Sequence, residues 1–370
     1  MQAQENFGFN FSAGPAMLPV SVMLDIQKEL LNWQGLNRSV MEISHRSAPY
    51  MAMMSEAEQS VRRLLQIPSD YQVLFVHGSA SHQFAMVPMN LYQSGTMDYV
   101  DTGTWSCKAV AEAKKFGKVN HIQGLKMDNN SLTELKAPNE WSLSDDASFL
   151  YYAPNETIGG VEFAETPDTQ LLYGRSVPLV ADMSSNILSK PIDVNQFGLI
   201  YAGAQKNIGT SGVTLVIIRD DLLPLVDPKV ATMLQYATYA KHQSLYNTPA
   251  VFPVYVAGKV FKWIEDCGGL AAMEALSARK AQTLYDFIDQ SDFYTNPINL
   301  NSRSRMNVPF ILADQQLDAV FLKEAEKQKL YGLEGHRSVG GMRASLYNAM
   351  PIAGVEALVN FMKEFALNHG

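Results

Sequence analysis

The chain has 370 residues, 47% of them hydrophobic and 18% charged, with a formal net charge of -8; this is enough apolar material for a substantial core and, at the loose guide of about 150 residues each, for two domains. The negative balance argues against a nucleic-acid or anionic-membrane surface, so an anionic ligand must be met by a local basic cluster. The start of the chain lacks the basic and apolar segments of a secretory leader, no apolar run nears the ~20 residues that span a bilayer, and Cys107 and Cys267 are too few and too isolated for a disulfide framework or a zinc site, so a cytoplasmic protein without a metal is expected.

Residues 6–20 are aromatic and turn-rich, with Gly14-Pro15 marking a bend, and read as an arm. Val22, Ile26, Leu30 and Trp33 then recur at helical spacing up to Gly35, and Met51 to Leu65 predicts a second helix. Short apolar runs follow at Gln72 to Val76, Asp98 to Asp101, Phe149 to Tyr152, Val177 to Ala181, Leu199 to Tyr201 and Val213 to Ile218, with helical patterns at Gln83 to Tyr92 and Ser106 to Phe116. Strands buried on both faces read as near-continuous apolar runs, so a largely parallel sheet covered by helices is expected. Past Pro253 the texture changes to long helices at Val256 to Ile264 and Leu270 to Ile288. Met306 to Leu312, Gln316 to Lys329, Met342 to Leu346 and Gly354 to Phe365 then read as strand, helix, strand, helix, a smaller α/β domain. The triplet His45-Arg46-Ser47 recurs as His336-Arg337-Ser338.

Three stretches have the residue types for chemistry. Gly78-Ser79-Ala80-Ser81 falls between a strand and a helix, where small residues let the backbone close on a ligand and the free N–H groups of a helix start attract phosphate; the same residues also make an ordinary turn and cap. It is neither a Gly-x-Gly-x-x-Gly nor a Walker-type loop, which argues against a dinucleotide oxidoreductase. Asp182 stands where the run Leu179-Val180-Ala181 stops, and ligands of open α/β sheets bind at the carboxyl ends of strands; its plainer role is a turn aspartate. Lys206 lies in the small-residue stretch from Tyr201 to Gly212 between two apolar runs. A buried ammonium there needs a partner or chemistry to do, the plainer alternative being a solvated loop lysine. Together they match what pyridoxal phosphate requires: a lysine for the Schiff base, a carboxylate that keeps the ring nitrogen protonated, and a phosphate cup.

The stretches Asn10 to Pro19, Met41 to Arg46, Pro154 to Thr157, Tyr201 to Gly209 and Gly335 to Arg343 resemble those of the phosphoserine aminotransferases, a family of fold-type I, class V pyridoxal-phosphate enzymes, and occur in that family's order along essentially the whole chain. The resemblance implies an aspartate-aminotransferase-like α/β fold: a large domain, 20–257, with a mostly parallel seven-stranded-type sheet, and a small domain made of 1–19 and 258–370. It implies one pyridoxal phosphate per subunit, as a Schiff base on Lys206 with Asp182 facing the ring nitrogen, and a cofactor site completed by Ala80, Ser81, Trp105, Thr157 and Gln205. Asn247 and Thr248 would come from the second subunit of a homodimer with shared active sites. His45, Arg46, His336 and Arg337 would surround the substrate phosphate and Arg343 would hold the α-carboxylate, which answers where the basic cluster of an acidic protein lies.

The implied reaction exchanges an amino group between L-glutamate and 3-phosphohydroxypyruvate in serine biosynthesis. Some relatives also act on a phosphorylated hydroxythreonine precursor, and nothing in the chain decides between one substrate and both. Two positions depart from parts of the family: Ser81 replaces an arginine, and Ala13 replaces a second serine of the arm. Among rivals, alanine–glyoxylate transamination leaves the paired His-Arg motifs idle. A desulfurase needs a nucleophilic cysteine on a mobile loop, whereas Cys107 enters a helix and Cys267 sits in the C-terminal helical region. A non-catalytic binding protein has no need of Lys206 and Asp182.

Overall fold

The apolar runs of the N-terminal part pair into one sheet. In the computed structural model, which describes residues 7–126 and 132–370, its seven strands are β1 (Tyr71–His77), β2 (Thr96–Asp101), β3 (Val119–Gln123), β4 (Ala147–Tyr152), β5 (Leu179–Asp182), β6 (Leu199–Gly203) and β7 (Val213–Arg219), in the order β1-β7-β6-β5-β4-β2-β3. β7 is antiparallel to both neighbours and every other pairing is parallel. Every residue of β2, β5 and β6 is buried; β5 and β6 accordingly read as near-continuous apolar runs, while β2 also buries Thr96, Asp98 and Asp101. The pleat is still visible in the packing: Val73 and Phe75 enter one core while Leu74 and Val76 enter the other. β3 has no counterpart among the predicted strands. Its sequence, Val-Asn-His-Ile-Gln, lies at the sheet edge with only Ile122 buried, so the apolar signal used to find strands is absent there.

The helices are α1 (Val20–Glu29), α2 (Ala48–Leu65), α3 (Ala80–Leu91), α4 (Thr104–Ala113), α5 (Thr169–Tyr173), α6 (Tyr236–Lys241), α7 (Val251–Asp266), α8 (Gly269–Asp289), α9 (Asp318–Lys327) and α10 (Ile352–His369). One sheet face is covered by α1, α2 and α7, the other by α3, α4 and α6. α1 stops earlier than its periodicity suggests; Trp33 is buried from a separate one-turn 3-10 helix, Trp33–Gly35, so the spacing continued across a break. α2, α3 and α4 each begin two or three residues before their apolar pattern, because first-turn residues are polar or small while capping and proline at the second position start the helix.

A further core forms around the antiparallel strands β8 (Tyr294–Thr295), β9 (Asn307–Leu312) and β10 (Met342–Ser345) with α9 and α10. The arm contributes directly: Phe9–Asn10 pairs in parallel with Leu330–Tyr331, and Phe11 is fully buried in this core. α7 and the start of α8, through Met273, pack into the large core, whereas α8 from Ala281 packs into the smaller one. Among the described residues no helix is long and apolar enough to cross a membrane.

Candidate active site

The parallel strands deliver their carboxyl ends to one sheet edge. Asp182 closes β5 opposite Tyr201 on β6, and the connection from β6 to β7 carries Lys206. β1 runs with them, since both it and β6 are antiparallel to β7, so the turn after β1 opens at the same edge. A pocket lies there, lined by Ser79, Ala80, Ser81, Trp105, Thr157, Asp182, Gln205 and Lys206, with Phe84, Ala153, Asn155, Glu156, Ser184 and Ser185.

At the pocket floor, the Lys206 amine donates to the Thr157 hydroxyl at 2.6 Å. Burial lowers the basicity of Lys206 to a pKa of about 8; Asp182 and Glu156 oppose that shift and Arg343 adds to it. Asp182 is anchored on both oxygens. Oδ1 accepts from the Ser184 backbone N–H at 3.0 Å and the Ser184 hydroxyl at 2.6 Å, while Oδ2 accepts from the Tyr201 hydroxyl at 3.1 Å. Tyr201 in turn meets the Tyr151 hydroxyl at 2.8 Å. This network holds the carboxylate in one orientation at the strand end.

The cup forms at the start of α3, whose first residues are Ala80 and Ser81. Gly78 takes a positive φ of 98° just ahead of it, and a Cβ there would lie 2.6 Å from the His82 ring, whose Nδ1 accepts from the Ser79 backbone N–H at 3.0 Å. The turn therefore requires glycine, and the freed N–H groups of α3 are presented to the pocket. Trp105 enters from the first turn of α4 with its indole Nε1 buried and without a partner, and Lys108 Nζ lies 4.4 Å from its ring centroid. Thr157 follows Glu156 on a small hairpin, Asn155–Glu156 paired with Val161–Glu162, and Asn155 Nδ2 donates to Ser185 Oγ at 2.7 Å and Asn307 Oδ1 at 2.9 Å, joining the site to β9.

These donors fit pyridoxal phosphate: a deep amine of reduced basicity, a fixed carboxylate on the neighbouring strand, a helix start for a phosphate, and a half-buried indole whose N–H is unpaired. Seven residues implied by the resemblance converge here: Ala80, Ser81, Trp105, Thr157, Asp182, Gln205 and Lys206. Arg343, on β10, is half-buried with its Nε enclosed and unpartnered, and its charge acts on Lys206. His336 is made less basic by burial and then by Arg343, Arg337 and Lys108, so four basic residues gather near the small-domain side. His45, Arg46, Asn247 and Thr248 do not line this pocket; Arg46, Asn247 and Thr248 are exposed and His45 half-buried.

Sequence reasoning missed Ser184 and Tyr201 as supports of Asp182, and missed Glu156 altogether. Ser184 follows Asp182 by two residues, a spacing that signals an aspartate turn, but Tyr201 and Glu156 are adjacent only in space. Among the described residues, Asp101, Cys107 and His121 bring potential ligand atoms within 4.8 Å of one another. The Asp101 carboxylate is engaged there by His121 Nε2 at 2.7 Å, the Ser106 hydroxyl at 3.0 Å and the Gly103 N–H at 3.0 Å.

The profile of the family described as Aminotransferase class-V matches residues 8–358. The chain is 54% identical over 359 residues to a phosphoserine aminotransferase of Hahella chejuensis, covering 97% of this chain and 98% of that protein. It superposes on the phosphoserine aminotransferase of Bacillus circulans subsp. alkalophilus with a TM-score of 0.93 at 47% identity, covering 98% and 99% of the two chains. The pyridoxal-phosphate-bound phosphoserine aminotransferase of Trichomonas vaginalis gives a TM-score of 0.90 at 43% identity over 96% and 99%. Likeness of that extent, joined to a pocket with these residues, places the chain in the class V aminotransferase family, among its phosphoserine aminotransferases.

Proposed function

We propose that the chain transfers an amino group between L-glutamate and 3-phosphohydroxypyruvate, using pyridoxal phosphate held on Lys206. The observation that carries this is the convergence of a weakly basic, enclosed Lys206 with the anchored Asp182 and the α3 start in one pocket. When bound, the cofactor supplies an electron sink for the charge that develops at the substrate α-carbon. The backbone N–H groups at Ala80 and Ser81, with the α3 dipole, hold its phosphate. Asp182, fixed by Ser184 and Tyr201, offers a carboxylate to the ring nitrogen and keeps a proton there. The Thr157 hydroxyl, Gln205 and the Trp105 indole line the pocket and would hold the ring, the first two through polar contacts and the indole by stacking.

Lys206 moves the proton. An amine with a pKa of about 8 is partly neutral near pH 7, so it can take a proton from the substrate α-carbon and return it to the carbon on the other side of the intervening nitrogen, two bonds away, without a large energetic mismatch. Arg343 binds the α-carboxylate, which both substrates share, through a planar guanidinium suited to two parallel hydrogen bonds. His336 and Arg337 receive the distal phosphate or carboxylate. His45, Arg46, Asn247 and Thr248 stand outside the pocket of their own chain, which supports a homodimer whose partner contributes them. The separate cores support a large cofactor-holding domain and a small one joined along α7 and α8, with the large core reaching through Met273, beyond the expected boundary at 257, and Phe11 of the arm in the small core. We place the protein in the cytoplasm.

The test is Lys206→Ala. The purified wild-type protein is expected to carry a visible absorbance band that borohydride removes and to convert glutamate to 2-oxoglutarate; the variant is expected to lose both, by at least about a thousandfold in rate. Normal turnover in the variant refutes the assignment.

A further inference from the structure

We propose that Glu156 is a positioning residue that keeps the Lys206 nitrogen basic enough to take and hold the transferred proton. The proposal rests on the transamination reading of the pocket. Glu156 is 1% exposed and lines the pocket, and neither of its enclosed carboxylate oxygens has a well-aligned hydrogen-bond partner, the backbone N–H groups of Ile158 and Trp105 being its only nearby donors among the described residues. A buried carboxyl left unpaired is costly, so its place calls for a compensating role.

Its position is fixed by shape. Gly103, in the turn ahead of Trp105, has a φ of 156°, and a Cβ there would lie 2.8 Å from Glu156 Cγ and 2.9 Å from Cδ. The Glu156 side chain therefore packs closely against Gly103, in space that a side chain at that position would fill. It lines the same pocket as Lys206 from the β6–β7 connection and Asp182 from β5, and the next residue, Thr157, accepts from the Lys206 amine at 2.6 Å; Tyr151 on β4 and Cys107 on α4 also feel its charge, and backbone N–H groups of Ile158 and Trp105 act to lower its pKa. On the Lys206 side, the charged groups are Asp182, Glu156 and Arg343. Lys206 is the cation that lowers the pKa of Glu156.

The charges then decide the role. Burial and Arg343 both depress the basicity of Lys206, and two carboxylates oppose them. Once Asp182 is paired with the cofactor's ring nitrogen, its charge is largely neutralised, and Glu156 is the carboxylate left to support Lys206. Burial also raises the pKa of Glu156 to about 7, so its support is present above that value and fades below it.

The test uses the loaded full-length enzyme and the pH titration of its visible absorbance, which reports protonation of the Lys206 nitrogen and is independent of turnover. Glu156→Gln keeps the shape and removes the charge. Its titration midpoint is expected to fall by roughly one pH unit, a tenfold loss of proton affinity, and the pH profile of the glutamate half-reaction is expected to move in the same direction. Glu156→Asp keeps the charge and withdraws it by one methylene; it is expected to shift less, in the same sense. Wild-type midpoints in both variants overturn the proposal, and an unshifted Glu156→Asp does so even if Glu156→Gln fails to accumulate. Absence of any borohydride-sensitive band in the wild type refutes instead the transaminase reading on which it rests.

Discussion

Lys206 and Lys280 are both enclosed lysines, and their surroundings divide them by role. Lys206 faces a pocket and two carboxylates, whereas Lys280 on α8 is fully buried and donates to three backbone carbonyls, Leu346 at 2.8 Å, Tyr347 at 2.6 Å and Met350 at 3.0 Å. While protonated, Lys280 has one N–H for each carbonyl. It thereby fixes the segment after β10, the strand that carries Arg343. Burial pushes the Lys280 pKa down from 10.5 to about 7, so between those values the unfolded chain binds more protons than the folded one, and this group makes stability rise with pH across that window. Lys280→Met leaves three carbonyls without a donor. It is expected to cost about 3 kcal/mol in urea unfolding and to flatten the rise of stability between pH 7 and pH 10.5; an unchanged midpoint and slope would show that the ammonium does not hold the segment. The sequence marked Lys206 through its small-residue turn and the family motif, whereas nothing marked Lys280, since the carbonyls that hold it are far away in the chain.

Among the elements, the arm departs most from its modest appearance in the sequence. It reads as a turn-rich lead-in, yet Phe9–Asn10 forms a parallel pair with Leu330–Tyr331, the Ser345 N–H donates to the Phe11 carbonyl at 3.0 Å, and the Ala16 N–H donates to the Gln205 carbonyl at 2.9 Å beside Lys206. The arm thus joins the small core to the pocket. Phe11→Ala removes a fully buried ring from that core and is expected to destabilise by about 3–5 kcal/mol. Hydrogen exchange should increase first in β10 and α10, while β5 and β6 remain protected. Uniform exchange across both cores would contradict a separate small-domain core. The long helices and central strands were legible because continuous burial writes itself into the sequence; β3 was not, because an edge strand faces solvent and needs no apolar run.

For the whole molecule, the sheet edge gathers Asp182, Thr157, Lys206 and the α3 start, but leaves His45, Arg46, Asn247 and Thr248 outside the pocket. If the partner supplies them, Lys206→Ala and Arg46→Ala chains, each impaired alone, complement one another. A mixed dimer then has one site with both changes and one with neither, so an equal mixture reassociated from subunits is expected to regain about a quarter of wild-type activity; no recovery would rule out shared sites. The sequence by itself determined the α/β class, the order of the central strands' apolar runs, and the lysine, aspartate and small-residue turn, because continuous burial and turn chemistry are local demands. The motifs placed it among the phosphoserine aminotransferases. Only the tertiary structure decided which of those residues share a pocket, that Ser184 and Tyr201 fix Asp182, and that Glu156 packs against Gly103 in the pocket of Lys206. Those facts depend on approach between segments distant in the chain, and the electrostatics of a buried charge are set by its neighbours in space.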